Sequence, residues 1–382
     1  MRILHTSDWH LGRSFHRVGM LEHQAAYVDH LLDVVAAEGV DLVVVAGDVY
    51  DRALPHVDAV RLADEALARL ASSRARVVLT SGNHDSALRL GFGSRLFDAA
   101  GVHVRTDASS VGSPVILEDH HGPVAIHGIP YLDPQALHEP WRLPARTHEA
   151  ALAEAMRRVR ADLAARPSRS VVLAHAFVAG GQASDSERDI TVGGAASVPT
   201  STFDGVDYAA LGHLHGAQRL SDRVRYSGSP LPFSFSEEHQ TKQLLLVELS
   251  PEPGAAPQVE KVPTPVDRPL ARISGHLHDL LTGDRWATVA DHYLQVTLTD
   301  PTRPREPMER LRQRFPYVLV LAFAPEGVAV DQAPSYAARL RGRSDLEVAD
   351  DFVTHVRGPA EPAETALLAD AFEDVRRLEA AR

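Results

Sequence analysis

The sequence predicts an α/β fold in which a large N-terminal domain is followed by a smaller α/β domain. Over the first two thirds of the chain, continuously apolar segments alternate with segments whose apolar residues recur at helical spacing. Continuously apolar strands are typical of parallel sheets that are covered on both faces. The chain has 382 residues, which exceeds the usual size of one hydrophobic core. A proline-rich stretch at 250–269 precedes a second, shorter strand–helix–strand pattern.

Short apolar runs bounded by polar or turn residues predict the strands. The predicted strands are 2–6, 42–46, 77–79, 102–105, 114–117, 124–126, 171–174, 208–211, 224–227, 243–249, 293–298 and 317–323. We expect 224–227 and 243–249 to pair as a hairpin-like unit. The stretch 250–269 is expected to be a linker because it is rich in proline.

Apolar residues spaced by three and four positions predict the helices. The predicted helices are 22–37, 55–70, 148–164, 307–315, 350–357 and 362–378. Pro55 suits the first turn of its helix. The last helix carries Leu368, Phe372, Val375 and Leu378 on one face. Periodicity alone favours packing of this face against its own domain over binding of a partner.

Composition excludes several classes of protein. The chain has no cysteine, so disulfides and thiolate zinc sites are absent. It has no apolar run long enough to span a membrane, and Met1 leads directly into the first strand, so we expect a cytoplasmic protein. The formal net charge of −12 argues against a DNA binder that acts alone. That objection weakens if metal ions neutralise carboxylates or a partner subunit holds the phosphates.

Five polar clusters each follow a predicted strand, at the sheet edge where sites assemble in layered α/β folds. The clusters are Asp8-Trp9-His10, Gly47-Asp48-Val49-Tyr50-Asp51, Gly82-Asn83-His84-Asp85, His175 and His213-Leu214-His215. Side chains at i and i+2 of an extended segment point to the same side, so Asp8 and His10 can converge on one point. Any one cluster is more often a turn than a ligand set. Five in order at strand ends predict one shared site.

These residue types predict a site for two divalent metal ions. Two ions about 3.5–4 Å apart need a bridging ligand, and Asp48 is the candidate. The expected ligands are Asp8, His10 and His215 for one ion, and Asn83, His175 and His213 for the other. A shell of imidazole, carboxylate and amide groups suits Mn²⁺ or Fe²⁺ better than Mg²⁺. A hydroxide held between the ions would attack phosphorus.

Two further residues are expected to take part in catalysis. His84 directly follows a predicted ligand and should point away from the metal ions, where it can protonate a leaving oxygen. Asp51 lies three residues after the predicted bridging carboxylate. We expect Asp51 to hydrogen-bond His84 and keep it protonated.

The order of these clusters resembles that of the calcineurin-like metallophosphoesterases. Longer strings are similar to the SbcD family, the nuclease subunits of bacterial SbcCD complexes. These strings are the opening residues 1–12, Ser184-Asp185-Ser186-Glu187-Arg188-Asp189-Ile190 and Arg225-Tyr226-Ser227-Gly228-Ser229-Pro230-Leu231-Pro232. The resemblance covers the whole chain. Archaeal and eukaryotic relatives tend to carry a histidine where this chain has Asp51, and the aspartate matches phosphatase members of the superfamily.

The resemblance implies a four-layer sandwich of two mixed sheets between helices. It implies a nuclease domain at 1–265, a capping domain at 266–340 and a C-terminal helix–loop–helix at 341–382. The implied activity is Mn²⁺-dependent DNA cleavage in repair, recombination and replication, as a 3'→5' exonuclease on duplex ends and an endonuclease at hairpins. The implied assembly is a homodimer that binds an SbcC-like, SMC-type ATPase. The apolar face at Leu368 and Phe372 would then bind this ATPase.

Two other functions fit parts of the pattern. A phosphatase or cyclic-nucleotide phosphodiesterase would use the same two metal ions, because a fold and its metal core do not fix the substrate. A scaffold without activity would not need the full set of predicted ligands. The linker, the cap and the C-terminal helices favour the nuclease, since a small-molecule phosphatase does not need them. Arg13, Arg17, Arg52 and Arg188 neighbour the site loops and are candidates for DNA contact.

Overall fold

The structure is a computed structural model that describes residues 1–190, 197–326 and 344–380. The chain divides into two compact units, Met1–Ala324 and Pro325–Arg382. The strands are β1 (Arg2–Thr6), β2 (Ser14–Phe15), β3 (Val18–Gly19), β4 (Leu42–Ala46), β5 (Arg76–Thr80), β6 (Val102–Arg105), β7 (Val115–Asp119), β8 (Gly122–Ile129), β9 (Arg169–His175), β10 (Tyr208–Gly212), β11 (Gln218–Arg219), β12 (Val224–Tyr226), β13 (Gln243–Glu248), β14 (Gln258–Pro263), β15 (Leu270–Gly275), β16 (Tyr293–Leu298) and β17 (Val318–Phe323). The helices are α1 (Leu21–Ala37), α2 (Val57–Ala71), α3 (Ala87–Leu90), α4 (Ser94–Ala99), α5 (Pro134–Trp141), α6 (His148–Ala165), α7 (Leu277–Thr282), α8 (Pro307–Arg314), α9 (Asp345–Arg357) and α10 (Pro362–Ala380).

Two six-stranded mixed sheets form the centre of the first unit. The first sheet has the order β14-β13-β1-β4-β5-β6, in which β1, β4, β5 and β6 are parallel. The strand β13 runs antiparallel to β1, and β14 runs antiparallel to β13. The second sheet has the order β11-β12-β10-β9-β8-β7, with β8, β9, β10 and β12 parallel. In each sheet the parallel strands end at a common edge, which brings the loops after them together.

Alternating residues of each strand build different layers of the core. In β4, Val43 and Val45 pack against the helices α1 and α2, whereas Leu42 and Val44 face the second sheet. Val172 of β9 packs against α6 on the far side, and Leu173 packs between the sheets. Because both faces of the central strands are covered, β4 (LVVVA) and β10 (YAALG) are apolar without alternation. The layers run helices, sheet, sheet, helices, which confirms the four-layer sandwich.

Three expectations about individual elements are wrong. The strands β12 and β13 do not pair with each other, because β12 adds to β10 in the second sheet and β13 adds to β1 in the first. The expected linker contains the strand β14, which pairs with β13 at the edge of the first sheet. The helix α2 begins at Val57 after the N-cap residue His56, so Pro55 lies outside its first turn.

A smaller layer of strands and helices follows within the first unit. The parallel strands β15, β16 and β17 form a three-stranded sheet, and α7 and α8 cover it around Leu280, Leu311 and Phe315. A separate apolar cluster joins this small sheet to the loops of the larger part, where Phe15 and Phe235 meet Tyr293. This junction fixes the small sheet against loops that carry the candidate site.

The second unit contains α9 and α10, which contact each other. Ser344 and Glu347 form a reciprocal capping box at the start of α9. On α10, Leu368 and Phe372 are half-buried, and the side chains of Val375 and Leu378 lie outside the described ones. Phe352 and Leu367 are 56% and 69% exposed. None of the helices within the described ranges combines the length and the apolar character of a membrane span.

Leu173 tests the packing between the two sheets. Its side chain is fully buried in the layer between them, so Leu173→Ala should leave a cavity and lower the free energy of unfolding by about 3 kcal/mol. The measurement is the shift of the thermal unfolding transition. Ile116→Ala is the control, because Ile116 is 43% exposed on the edge strand β7 and should change stability by about 0.5 kcal/mol or less. Equal shifts for the two variants would contradict this account of the core.

Candidate metal centre

The predicted ligands all leave the carboxyl ends of central strands. The first sheet supplies Asp8 and His10 after β1, Asp48 after β4 and Asn83 after β5. The second sheet supplies His175, the last residue of β9, and His213 and His215 after β10. Backbone hydrogen bonds continue between the loops, since the N–H of Asp8 donates to the carbonyl of Gly47 and that of His10 to the carbonyl of Asp48. Loops from both sheets therefore contribute residues to one site, which lies at the edge of the layer between the sheets.

The structure brings all seven predicted ligands into one cluster. Nε2 of His10 lies 3.1 Å from Nε2 of His215. Oδ1 of Asn83 lies 2.9 Å from Nε2 of His175 and 3.3 Å from Nδ1 of His213. One half of the cluster holds His10 and His215, and Asp8 groups with this half and also with His175. The other half holds Asn83, His175 and His213.

Asp48 lies between the two halves. Its Oδ2 is 3.6 Å from Nε2 of His10 and 3.4 Å from Nε2 of His175. Among the described residues, Asp8, His10 and His215 form one group whose ligand atoms lie within 4.8 Å of one another, and Asp8, Asp48 and His175 form another. The position of Asp48 is the one that a bridging carboxylate needs.

The cluster fits divalent metal ions in its chemistry as well as its spacing. Within the described part of the chain, Nδ1 of His10 is buried and has no hydrogen-bond partner. Buried polar atoms in folded proteins are normally paired, so unpaired ones need an explanation. Imidazole nitrogens and carboxylate and amide oxygens, which converge here, are the ligands of first-row divalent ions.

The charges of the cluster point to the same need for cations. Burial raises the pKa of Asp8, and the neighbouring Asp48 raises it further. Burial opposes ionisation of Asp48 too, but His175 and His10 hold the pKa of that carboxyl well below its ordinary value. The pKa of His175 is raised. Burial alone would lower this pKa, but the neighbouring carboxylate of Asp48 raises it by more. Divalent ions would stabilise both carboxylates and take over the role of the imidazolium.

The backbone is strained at several of the ligands. Asp8, His10, Asp48 and His213 have φ values of +53°, +46°, +48° and +104°. Non-glycine residues rarely adopt positive φ, and each such residue costs about 1–3 kcal/mol. Four of the eight non-glycine residues with positive φ in the described ranges are thus candidate ligands. Strain concentrated on four converging side chains indicates that the fold holds them in place for a function.

Two glycines allow the strands to approach this closely. Gly47 has φ +84°, and a Cβ atom there would lie 2.3 Å from Nδ1 of His175. A Cβ atom on Gly82 would lie 2.1 Å from Oδ1 of Asp48. Any side chain at these positions would displace a candidate ligand, so the loops require glycine.

His84 lies beside the cluster and also lines an open cleft. Its ring centroid is 4.7 Å from that of His10, and His84 groups with His10 and Asp48 as a third possible ligand set. It is therefore closer to the candidate ligands than the sequence led us to expect. The cleft has a volume of about 470 Å³. Its lining residues are Arg13, Ser14, Asp51, Arg52, Ala53, Asn83, His84 and Arg188.

Asp51 contacts His84 by a different atom from the one expected. The backbone carbonyl oxygen of Asp51 lies 2.7 Å from Nδ1 of His84. A carbonyl oxygen can only accept, so Nδ1 carries the proton and Nε2 is left for other work. The carboxylate of Asp51 instead lies 3.6 Å from Arg13 and 3.7 Å from Nδ1 of His10. The expected carboxylate–imidazole pair is thus replaced by a main-chain contact.

Sequence reasoning missed the residues that support the ligands. Asp85 accepts backbone hydrogen bonds from Val49, Tyr50 and Gly82, and so joins the loops after β4 and β5. Its position in the Gly-Asn-His-Asp string was a usable signal. Glu237, in a turn between β12 and β13, contacts Nδ1 of His215 at 3.5 Å. Nothing in the sequence around Glu237 indicates this contact.

Comparison with known families identifies the class. The family model of the calcineurin-like phosphoesterases matches residues 1–217, and the chain belongs to this family. A second family model, SbcD_C, described as the type 5 capsule protein repressor C-terminal domain, matches residues 266–357. Together the two matches support an SbcD-type nuclease in the metallophosphoesterase superfamily. This family uses a centre of two metal ions.

Three solved structures from different organisms are among those that match this chain. TT1561 of Thermus thermophilus is 11% identical, with a TM-score of 0.40, over 68% of this chain and 98% of its own. The calcineurin-like phosphoesterase YfkN from Bacillus subtilis is 14% identical, with a TM-score of 0.34, over 69% and 90%. GAP50, the anchor in the inner membrane complex of Plasmodium, is 11% identical, with a TM-score of 0.36, over 85% and 98%.

Proposed function

We propose that this chain is the Mn²⁺-dependent DNA nuclease subunit of an SbcCD-type complex. It cleaves phosphodiesters as a 3'→5' exonuclease on duplex ends and as an endonuclease at hairpins, in bacterial DNA repair and recombination in the cytoplasm. The observation that carries this proposal is the convergence of seven predicted ligands beside an open cleft, in a chain that also matches the SbcD C-terminal domain. Residues 1–265 form the nuclease domain, 266–340 the capping domain and 341–382 the partner-binding helices.

The metal ions are held by Asp8, His10, His215 and Asp48 on one side, and by Asp48 and the second ligand set on the other. The second set is Asn83, His175 and His213. Mixed nitrogen and oxygen ligands favour Mn²⁺ over Mg²⁺. When bound, two such ions activate a water molecule and offset negative charge on the phosphate.

His84 acts on the leaving group in this proposal. Its Nδ1 donates to the carbonyl of Asp51, which fixes the ring and leaves Nε2 available to the leaving group. His84 lines the cleft beside the ligands, so as an imidazolium it can pass the proton of Nε2 to the leaving oxygen and become the neutral ring with its proton on Nδ1. Asp51 is a positioning residue through its carbonyl oxygen.

The cleft suits a nucleic-acid backbone despite the acidic chain. Arg13, Arg52 and Arg188 line it, whereas the chain carries a net charge of −12. Guanidinium groups bind phosphate oxygens in a bidentate manner. The arginines and the bound cations together would attract the DNA backbone to this cleft. The rest of the acidic surface would repel it.

The partner in this proposal is an SbcC-like ATPase, bound through α9 and α10. Phe352 and Leu367 are large apolar residues that are more than half exposed on these helices. A chain that ends at residue 343 should no longer co-purify with the ATPase but should bind Mn²⁺ as the full chain does. Leu367→Glu should weaken co-purification at least about 10-fold, as loss of a buried interface residue does, whereas Ala366→Glu beside it should have less effect. Undiminished capture of the truncated chain would refute this assignment.

We also propose a homodimer, formed through an exposed apolar surface on α3, α4 and the turn between them. Leu88, Phe92 and Leu96 are 89%, 84% and 78% exposed there. Contiguous exposed apolar residues are typical of interaction surfaces. Phe92→Asp should convert the dimer into a monomer in light scattering, and a dimer that persists would place the interface elsewhere.

A cleavage assay tests the function directly. Blunt duplex DNA, hairpin DNA, a phosphomonoester and a cyclic nucleotide are offered to the full chain with Mn²⁺, with and without the ATPase. The nuclease proposal expects cleavage of both DNA substrates. Turnover of the monoester or the cyclic nucleotide without DNA cleavage would instead support a phosphatase or phosphodiesterase, and no turnover at all would support a scaffold.

A further inference from the structure

The two ring nitrogens of His215 have different surroundings. Nε2 lies 3.1 Å from Nε2 of His10, among the candidate metal ligands. Nδ1 hydrogen-bonds Oγ of Ser186, and the same Oγ contacts a carboxylate oxygen of Glu237. Because a carboxylate only accepts, the hydroxyl gives its proton to Glu237 and its oxygen accepts from Nδ1. This chain of hydrogen bonds favours the tautomer of His215 that carries its proton on Nδ1, and it leaves the lone pair of Nε2 free for a metal ion.

The backbone of His215 is held at both of its polar groups. Its N–H donates to Oε1 of Glu187 at 2.8 Å. Its carbonyl oxygen accepts from Nζ of Lys242, also at 2.8 Å. Ser186 and Glu187 belong to one string of the sequence, so a single segment holds both the ring and the N–H of this ligand. The position of the residue is therefore fixed independently of its ring.

The charged members of this network lie in the interior. Glu237 is 1% exposed and Lys242 is 4% exposed, and Nζ of Lys242 lies 2.5 Å from Oε2 of Glu237. A buried ion pair is weak support for stability, because an apolar pair of similar volume often stabilises a protein as well or better. Lys242 is one of two lysines in the chain, the other being Lys261. The pair therefore needs a reason other than stability.

We propose that Glu237, Lys242 and Ser186 are positioning residues that fix the orientation and tautomer of His215 for metal binding. Glu237 acts through Ser186 on Nδ1, and Lys242 pairs with Glu237 and holds the carbonyl of His215. None of the three is one of the seven candidate ligands. The inference rests on the proposed metal centre and adds to it the residues that select one ligand's reactive nitrogen.

Mn²⁺ titration of the full chain without substrate tests the proposal. Free Mn²⁺ is followed by electron paramagnetic resonance for the parent, Ser186→Ala and Glu237→Gln. We expect both variants to bind one of two ions about 10–100-fold more weakly, as loss of a residue behind a ligand does, and the other ion as the parent does. The melting temperature of the metal-free chain reports whether each variant is folded. Ser186→Ala removes no charge and decides the result if Glu237→Gln does not fold.

Glu238→Gln is the matched control. Glu238 neighbours Glu237, but its carboxylate accepts from the backbone N–H and the guanidinium of Arg272 on β15. This variant should bind both ions as the parent does. Parent-like binding by Ser186→Ala and Glu237→Gln would overturn the positioning role and leave the metal centre intact. Equal weakening of both ions would also overturn it, because a general loss of structure has that effect. A parent that binds no Mn²⁺ would overturn the metal centre itself.

Discussion

Asp48→Asn will abolish Mn²⁺-dependent phosphodiester cleavage and remove metal from the site. The variant keeps the shape of the side chain but loses the negative charge that lies between His10 and His175. Oδ1 of Asp48 also accepts the backbone N–H of His84, so the substitution acts on both halves and on the loop that carries His84. We expect a loss of at least about 10²–10³-fold in turnover, since removing one group that stabilises transition-state charge already costs that much. The measurements are DNA cleavage and Mn²⁺ content after gel filtration.

Asp33→Asn is the control for this substitution. Asp33 lies exposed on α1, and its variant should cleave DNA and retain Mn²⁺ as the parent does. The circular dichroism spectrum of Asp48→Asn should match that of the parent. The substitution changes a charge but not the shape of the side chain, so the strands that end at the site should still form. An Asp48→Asn variant that still holds two Mn²⁺ ions and cleaves DNA would rule out the bridging role.

His84→Ala will retain both metal ions and lose most DNA cleavage. A general acid contributes about 10²–10⁴-fold to rate, and the loss should fall in that range. The reason is geometric, since His84 lines the cleft and its Nδ1 is fixed by the carbonyl of Asp51. The defect should be much smaller on bis(p-nitrophenyl) phosphate, because p-nitrophenolate is a good leaving group that departs without a proton. Turnover on both substrates and Mn²⁺ binding are measured on the same preparation.

The two substrates separate the acid role from a ligand role. His84 also groups with His10 and Asp48 in space, so a ligand role predicts equal losses on both substrates together with weaker Mn²⁺ binding. His121→Ala serves as the control, because His121 is exposed in the turn between β7 and β8. DNA cleavage by His84→Ala at the rate of the parent would show that the reaction needs no acid from this residue.

Local elements of the fold could be predicted from the sequence, but their pairing could not. The strands Arg2–Thr6, Leu42–Ala46 and Val102–Arg105 were predicted to the residue, since short apolar or alternating stretches bounded by polar residues are a local signal. The strands β12 and β13 were expected to pair because they follow each other in the chain. They lie in different sheets, because β13 finds its partner in β1, more than 200 residues earlier. The strand Gln258–Pro263 was missed because prolines flank and end a mostly exposed edge strand.

The candidate site shows the same division. The sequence by itself determined which polar residues stand at strand ends, and the seven candidate ligands were identified from the apolar runs before them. Only the tertiary structure decided that the edges of two sheets meet, which brings Asp8 within hydrogen-bond distance of the backbone of His213. It also decided that Asp51 uses its carbonyl oxygen and that Glu237 lies behind His215. The physical reason is that periodicity and turn chemistry act within a few residues, whereas these contacts depend on how two layers pack across the interior.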